Sequence, residues 1–244
     1  MNLYGQEVLF SAVSRIVAKG DGMYDAAASE HYFSVGASAM SAIKRSLAAA
    51  KVTPTAETQV LDYACGYGRV LRWLAVAFGQ HRVIGVDADA KAVAAAASLG
   101  FKAERLDTSL VTYLGRDFDL IWVGSLLTHL PEGETLRVLG YLRRHLTKTG
   151  VLVFTTHGRL VEHRLRTRER LYNLDEASAR ELVDGVTVSG FGFRPYPKVT
   201  DYGISVARPW KVLQMAEQSG LRPVLYEDRG WAEHQDVCAC RPNE

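Results

Sequence analysis

The chain has 244 residues, of which 48% are apolar and 23% are charged, and its formal net charge is +2. This is the composition of one ordinary globular domain, and the small net charge excludes a global attraction to nucleic acid or acidic membranes. No apolar run is long enough to span a membrane, and no basic-then-apolar export signal opens the sequence. Three cysteines, an odd number without zinc-type spacing, favour a reducing compartment, so we expect a cytoplasmic, enzyme-like chain without a metal centre.

The first fifty residues predict helices. Apolar residues recur at helical spacing over residues 8–17, and a second helical run covers residues 37–50. A Thr-Pro-Thr sequence at residues 53–55 then ends the helical pattern. We therefore predict an N-terminal helical cap over residues 1–54 and a second unit over residues 55–244.

A short apolar strand, an acidic residue and a glycine turn follow one another over residues 60–69. Gly66 and Gly68 let the backbone bend sharply and let a ligand approach where a Cβ would obstruct it. The N–H groups at the start of the following helix face whatever lies over the turn. A dinucleotide fingerprint requires a third glycine where this chain has Leu71. Asp62 would repel a pyrophosphate, whereas it suits a cationic nucleoside.

Strands and helices alternate from residue 58 to residue 156, which predicts right-handed crossovers and a parallel sheet. The second strand, residues 82–87, ends in Asp87, whose carboxylate can accept both hydroxyl groups of a ribose. Ligands of open α/β sheets bind beyond the carboxyl ends of the strands. The remaining predicted elements are a helix at 90–99, strands at 102–106 and 118–123, a helix at 132–147 and a strand at 150–155.

At these residues the sequence resembles the class I S-adenosylmethionine-dependent methyltransferases. Their first motif runs acidic-x-Gly-x-Gly-x-Gly, which Asp62, Gly66 and Gly68 match, while Ala64 replaces the first glycine. The resemblance covers about residues 55–158 and implies S-adenosylmethionine, which carries a sulfonium and an ammonium but no phosphate, as the cofactor. It also implies the cofactor-binding residues, namely Asp62, Tyr63, Ala64, Gly66, Tyr67, Gly68, Asp87, Ala88, Asp107, Thr108, Gly124 and Ser125.

The same resemblance implies an α/β fold with a doubly wound, mostly parallel sheet of seven strands, whose antiparallel last strand lies beside the fifth. Residues 157–207 interrupt the alternation and predict a lid insertion that covers the substrate. Within and after the lid we predict helices at 160–172 and 175–183, a loop at 185–197, a helix at 209–219, and strands at 222–229 and 236–241.

Two histidines are candidates for a catalytic base. Methyl transfer is an in-line displacement, so the protein supplies alignment and, for a weakly acidic acceptor, a base. His129 follows the fourth strand and His157 follows the fifth. The alternatives are that His129 orients its loop and that His157 is a hydrogen-bonded residue beneath the lid. His234 and Gln235, in the last hairpin loop, return to the same edge and are expected near His157.

Charged and aromatic residues outside the motifs allow two interpretations each. Arg159 is the best candidate to meet an anionic substrate group, although the glutamates interleaved in its helix favour a solvated face. Tyr24, Tyr32 and Phe33 precede the second N-terminal helix and either complete the pocket or pack in the core. Tyr67, within the glycine turn, is placed to close over the methionine end of the cofactor.

The sequence therefore predicts an S-adenosylmethionine-dependent methyltransferase that acts on an oxygen or nitrogen of a small molecule or glycan. The fourth strand lacks the Pro-Pro tetrapeptide by which amino-methylating DNA enzymes hold a flipped base, which argues against a nucleic acid substrate. One alternative is a non-catalytic S-adenosylmethionine-binding module. A nicotinamide-dependent oxidoreductase is disfavoured by Leu71 and by the absence of a Tyr-x-x-x-Lys pair. The acceptor and the oligomeric state stay open.

Overall fold

The computed structural model describes residues 11–243. Across that range, no helix combines the length and apolarity needed to cross a bilayer. The α-helices with both ends in this range are α1 (Ser29–Ala49), α2 (Leu71–Phe78), α3 (Ala90–Ser98), α4 (Glu132–Arg143), α5 (Arg159–Thr167), α6 (Glu176–Ser189) and α7 (Pro209–Gln218).

The strands form one large sheet and one hairpin. They are β1 (Val60–Tyr63), β2 (Val83–Asp87), β3 (Ala103–Arg105), β4 (Phe118–Val123), β5 (Leu146–Thr156), β6 (Phe191–Pro195), β7 (Gly203–Ala207), β8 (Leu221–Trp231) and β9 (Gln235–Pro242). The large sheet has the order β3-β2-β1-β4-β5-β9-β8, and β6 pairs only with β7. Strands β1 to β5 pair in parallel, whereas β9 is antiparallel to both β5 and β8. This confirms the predicted seven-stranded, doubly wound fold.

The order of the strands creates a crevice beside β1. The chain builds outward from β1 to β3, then returns to place β4 on the other side of β1. Loops after β1 and β4 therefore leave in opposite directions, and the gap between them is where open α/β sheets bind ligands.

Helices cover both faces of the sheet because successive strand residues point to opposite faces. On one face, Val60 and Trp122 pack with residues of α1 and α2. On the other face, Leu61 and Ile121 pack with residues of α4 and α7. Trp122 meets Trp231 edge to face at 5.3 Å between ring centroids. The two cores hold the carboxyl ends of β1 and β4 in fixed relation.

The N-terminal prediction was partly wrong. The first part of its first helix lies outside the described residues, but the backbone from Val13 to Asp25 is not helical. The buried Arg72 side chain explains this, since it donates to the carbonyl oxygens of Ser14 and Ile16, at 2.8 Å each. The second helix begins at Ser29, earlier than predicted, so it includes Tyr32 and Phe33 as core residues.

The lid prediction also needs correction. The region predicted as a loop at residues 185–197 contains the end of α6 and strand β6. Gly192 and Gly203 are needed there for close packing, since a Cβ would lie 2.2 Å from the carbonyl oxygen of Leu182 and 1.9 Å from that of Arg194, respectively. Both glycines mark close backbone approach, and Gly192 lies within the stretch whose glycines and prolines predicted a loop.

Two glycines inside helices give a matched test of packing. A Cβ on Gly36 of α1 would lie 2.2 Å from Trp73 Nε1, whereas nothing lies within 4 Å of a Cβ on Gly140 of α4. We expect Gly36→Ala to lower the free energy of unfolding by about 1–2 kcal/mol, because overpacking exceeds the gain in helix propensity. Gly140→Ala should raise it by up to about 1 kcal/mol. Urea denaturation measures both, and equal effects of the two substitutions would contradict this account.

Candidate functional site

A cavity of about 760 Å³ opens at the carboxyl edge of β1, β2 and β4. Nine of the twelve predicted cofactor residues line it, together with the candidate base His129. Those nine are Tyr63, Ala64, Gly66, Tyr67, Asp87, Ala88, Thr108, Gly124 and Ser125. The lining residues that were not predicted include Asp21, Met23, Arg69, Leu126, Leu130, Glu134 and Tyr202.

The glycine turn forms the floor of the cavity. Ala64, Gly66 and Gly68 all adopt positive φ angles of 62°, 53° and 87°. The Gly66 N–H donates to an Asp87 carboxylate oxygen at 2.8 Å, which ties the turn after β1 to the end of β2. The Asp89 N–H donates to the other Asp87 oxygen, also at 2.8 Å. The carboxylate predicted to bind a ribose is therefore oriented before any ligand binds, and lone pairs remain on both oxygens.

Asp62 lies beneath the cavity and is fully buried. One of its carboxylate oxygens has no hydrogen-bond partner in the structure. Burial raises the pKa of this carboxyl above its usual range, and the neighbouring Asp87 raises it further. A buried carboxylate oxygen without a partner calls for a donor or cation, because leaving it unsatisfied is costly. The ammonium group of S-adenosylmethionine has the required charge, so the donor set fits that cofactor.

Two further predicted cofactor residues are not among the cavity-lining residues of the described chain. Gly68 lies at the end of the turn, and its N–H donates to the Cys65 carbonyl oxygen at 3.0 Å. Asp107 is exposed, and its carboxylate accepts hydrogen bonds from Ser109 and Thr112. These bonds lower the pKa of Asp107 and turn its carboxylate to the local loop. Thr108, the next residue, is the one at the cavity wall.

Arg69 is the cation of the cavity wall, and sequence reasoning missed it. Its guanidinium lies 5.6 Å from the Trp231 ring and 5.9 Å from the Tyr32 ring. Burial lowers the pKa of Arg69, which the negative charges of Asp21 and Asp62 partly oppose. A partly desolvated arginine beside the turn is suited to a carboxylate ligand such as the methionine end of the cofactor.

The hairpin formed by β6 and β7 holds His129 in one tautomer. Its Nδ1 lies 2.7 Å from the carbonyl oxygen of Gly203, the first residue of β7. Because a carbonyl only accepts, Nδ1 carries the hydrogen and Nε2 carries the lone pair. The Gly203 N–H donates back to the His129 carbonyl oxygen at 2.9 Å, and the Tyr202 ring stacks on the imidazole at 4.8 Å. Burial lowers the pKa of His129, so the imidazole stays neutral.

His157 lies behind this wall and is not among the cavity-lining residues that the structure describes. It is fully buried, and its Nδ1 donates to the Ser205 carbonyl oxygen at 3.2 Å. Burial lowers the pKa of His157, with further contributions from His234 and His129. The His234 ring lies 5.4 Å from it, as predicted, while Gln235 binds Thr155 instead. These contacts match the hydrogen-bonded alternative.

Arg159 does not line the cavity of the described chain. Its guanidinium forms an exposed ion pair with Asp228 at 2.5 Å. Two other arginines of the same helix are similarly engaged, since Arg164 pairs with Glu169 and Arg166 pairs with Glu162. The solvated-face interpretation of this helix therefore describes the geometry.

The comparisons with known proteins agree with this site. A family profile described as a methyltransferase domain matches residues 60–150. Trans-aconitate 2-methyltransferase of Deinococcus radiodurans is 34% identical over 94 residues, which are 38% of this chain and 36% of that protein. The chain thus matches about a third of the length of this curated relative.

Solved structures extend the likeness of fold to most of the chain. An S-adenosylmethionine-dependent methyltransferase from Clostridium acetobutylicum has a TM-score of 0.58 at 14% identity, covering 84% of this chain and 90% of its own. The sugar N-methyltransferase KedS8 of a Streptoalloteichus species has a TM-score of 0.59 at 18% identity, covering 86% and 88%.

The fold and the cavity are those of an α/β protein that binds a nucleoside at the carboxyl edge of its sheet. Residues 60–150 match a methyltransferase domain, and the fold is that of solved S-adenosylmethionine-dependent methyltransferases, which agrees with the family that the sequence resembles. The buried Asp62 carboxylate and the Arg69 guanidinium on either side of the turn fit S-adenosylmethionine as the cofactor.

Two ligands distinguish a binding role of Arg69 from a role in folding. S-adenosylhomocysteine carries the amino-acid carboxylate, and methylthioadenosine lacks it. We expect Arg69→Met to weaken S-adenosylhomocysteine binding about ten-fold or more while methylthioadenosine binding stays unchanged, because one charge-assisted contact is lost. Calorimetry measures both affinities, and Arg180→Met, on the exposed face of α6, is the control. Equal losses for both ligands would assign Arg69 a structural role.

The neutral, buried His157 predicts a pH-dependent stability. Its pKa is lowered on folding, so below about pH 6.5 the unfolded chain binds more protons than the folded one. The free energy of unfolding should therefore fall as the pH drops from 7.5 to 5.5. His157→Asn, which keeps a donor to Ser205, should reduce this dependence, and the exposed His31→Asn should not. Urea denaturation at both pH values measures it, and identical slopes in all three proteins would contradict the prediction.

Proposed function

We propose that this chain transfers a methyl group from S-adenosylmethionine to an oxygen or nitrogen of a small molecule or glycan, with His129 as the base. The observation that carries the proposal is the hydrogen bond from His129 Nδ1 to Gly203, which leaves an unprotonated Nε2 on a cavity residue. Neighbours of similar fold include a sugar N-methyltransferase, which supports a small polar acceptor. Three free thiols, all buried, favour a reducing compartment such as the cytoplasm.

The residues of the chain perform three tasks in this proposal. Asp62 and Arg69 hold the charged end of the cofactor, and Asp87 holds its ribose. When bound, the cofactor supplies an electrophilic methyl group on a positively charged sulfur, which keeps the bonding electron pair after transfer. The lone pair of the acceptor oxygen or nitrogen attacks the methyl carbon, and His129 Nε2 takes the proton that this acceptor atom loses. Met23 and Tyr202 line the cavity, where they help to exclude water from the reaction.

Ligand titration and methyl transfer distinguish this proposal from its alternatives. S-adenosylmethionine and S-adenosylhomocysteine should bind, and NAD should not, because the turn lacks the third glycine that receives a pyrophosphate and the Asp62 carboxylate repels one. Transfer of a radiolabelled methyl group from S-adenosylmethionine to members of a neutral hydroxyl and amine panel would establish an enzyme. Tight NAD binding would support an oxidoreductase, and cofactor binding without any transfer would support a binding module.

Replacement of His129 tests the base. We expect His129→Gln to lower kcat about 10²- to 10⁴-fold while S-adenosylhomocysteine affinity is retained. In the unchanged protein, kcat should fall only below pH 6.5, because burial lowers the pKa of His129 and the base must be unprotonated. Steady-state kinetics across pH measure both effects. His163→Gln, on the exposed side of α5, is the matched control. A variant with normal kcat would mean that His129 only orients its loop.

A further inference from the structure

Ser125 occupies an unusual position on the cavity wall. It lies two residues after the end of β4 and adopts a left-handed backbone conformation, with φ 63° and ψ −13°. Residues other than glycine are disfavoured in this region, and such conformations collect at functional sites. The backbone therefore suits glycine, yet the chain places a hydroxyl there, beside the cavity.

A closed set of hydrogen bonds fixes the direction in which this hydroxyl donates. The Ser125 N–H donates to Thr155 Oγ1 at 2.8 Å. Thr155 Oγ1 donates its own hydrogen to Gln235 Oε1 at 2.7 Å. Gln235 Nε2 then donates to Ser125 Oγ at 2.7 Å. Ser125 Oγ is thus an acceptor within the protein, and its hydrogen is left for a partner in the cavity.

The opposite orientation of the Gln235 amide is unfavourable. It would place Nε2 against Thr155 Oγ1, which already accepts from Ser125, and the Thr155 hydroxyl hydrogen would lose its acceptor. Thr155 is fully buried, with 0% of its surface exposed, so no water replaces that acceptor. Ser125 is only partly buried and meets the cavity, so its hydrogen can reach a ligand.

We propose that Ser125 donates a hydrogen bond to an oxygen of the methyl acceptor, adjacent to the atom that is methylated. This inference rests on the proposed function, and it assigns Ser125 to acceptor recognition rather than to the cofactor. Its side chain is bonded toward β5 and β9, on the side of β4 away from the cofactor turn after β1. His129 closes the 3₁₀ turn that Ser125 begins, so the two residues stand within about 8 Å along that turn.

Ser125 and His129 together define the class of methyl acceptor. One oxygen of the acceptor gives its proton to His129, and a neighbouring oxygen accepts from Ser125. The nearby lining is apolar at Leu126 and Leu130, and the Tyr202 ring, which stacks on His129 with one face, also lines the cavity. Glu134, on the same part of the described wall, is paired with Arg137 at 2.7 Å, so it leaves no unpaired charge there to bind an ionic acceptor. The class is therefore an uncharged ring compound with two adjacent oxygens.

Simple ring compounds test this pairing. The probes are catechol, with two adjacent hydroxyl groups, and phenol, with one, titrated by calorimetry into protein saturated with S-adenosylhomocysteine. We expect catechol to bind about three- to ten-fold more tightly than phenol, the contribution of one neutral hydrogen bond. Ser125→Gly should abolish this difference while phenol and S-adenosylhomocysteine affinities stay the same. Adding a carboxylate to catechol, as 3,4-dihydroxybenzoate, should weaken binding.

Ser125→Gly and a control variant distinguish the loss of the hydroxyl group from an effect on the backbone. Ser125→Gly suits the left-handed backbone, so the protein should remain folded. Lys51→Gly relieves a similar conformation (φ 56°) at an exposed position remote from the cavity and should leave the catechol preference intact. Equal binding of catechol and phenol to the unchanged protein, or lost S-adenosylhomocysteine affinity in Ser125→Gly, overturns the inference while the proposed function stands. Tighter binding of 3,4-dihydroxybenzoate overturns the uncharged class. Failure of S-adenosylhomocysteine itself to bind refutes the proposed function instead.

Discussion

The turn after β1 is the constraint on which the rest of the site depends. Three of its five central residues take left-handed backbone angles, and its Gly66 N–H reaches across to the carboxylate at the end of β2. This bond fixes the distance between the floor of the cavity and the Asp87 carboxylate. The sheet order then brings the loop after β4 to the opposite wall. A change in the turn would therefore shift the floor of the cavity relative to its walls.

The insertion after β5 affects the chemistry of a residue outside it. Its second hairpin strand begins with Gly203, which exchanges two hydrogen bonds with His129 and determines which nitrogen carries the hydrogen. A side chain at Gly203 would collide with the Arg194 carbonyl oxygen, so the close pairing of β6 and β7 requires glycine. The packing inside the insertion thus sets the protonation chemistry of a residue in the parent fold.

The sequence predicted the large sheet and most of the cavity because both follow from local patterns. The pattern of a short apolar strand followed by an acidic residue repeats along the sequence. Parallel strands place their carboxyl ends at the same edge of the sheet, and this does not depend on how the side chains pack. The sequence shows that Arg69 follows the glycine turn, but it does not show that the side chain is buried. Arg69 was missed because its burial depends on two aromatic rings that come from α1 and from the β8–β9 hairpin. Tyr202, which the sequence favours as a packing residue, lines the cavity because the β6–β7 hairpin brings its ring onto His129. Asp107 does not line the cavity of the described chain because Ser109 and Thr112 bind its carboxylate, and these local bonds were not considered at the level of the sequence.

Arg72 connects parts of the chain that are far apart in order of synthesis. Its guanidinium donates to the Gly68 carbonyl oxygen in the cofactor turn and to two carbonyl oxygens at Ser14 and Ile16. During translation, the segment around residue 14 leaves the ribosome well before Arg72 does. It has no partner for those carbonyl groups until the β1–α2 unit has emerged. The earliest described part of the chain therefore cannot complete these two hydrogen bonds before the β1–α2 unit has been synthesised.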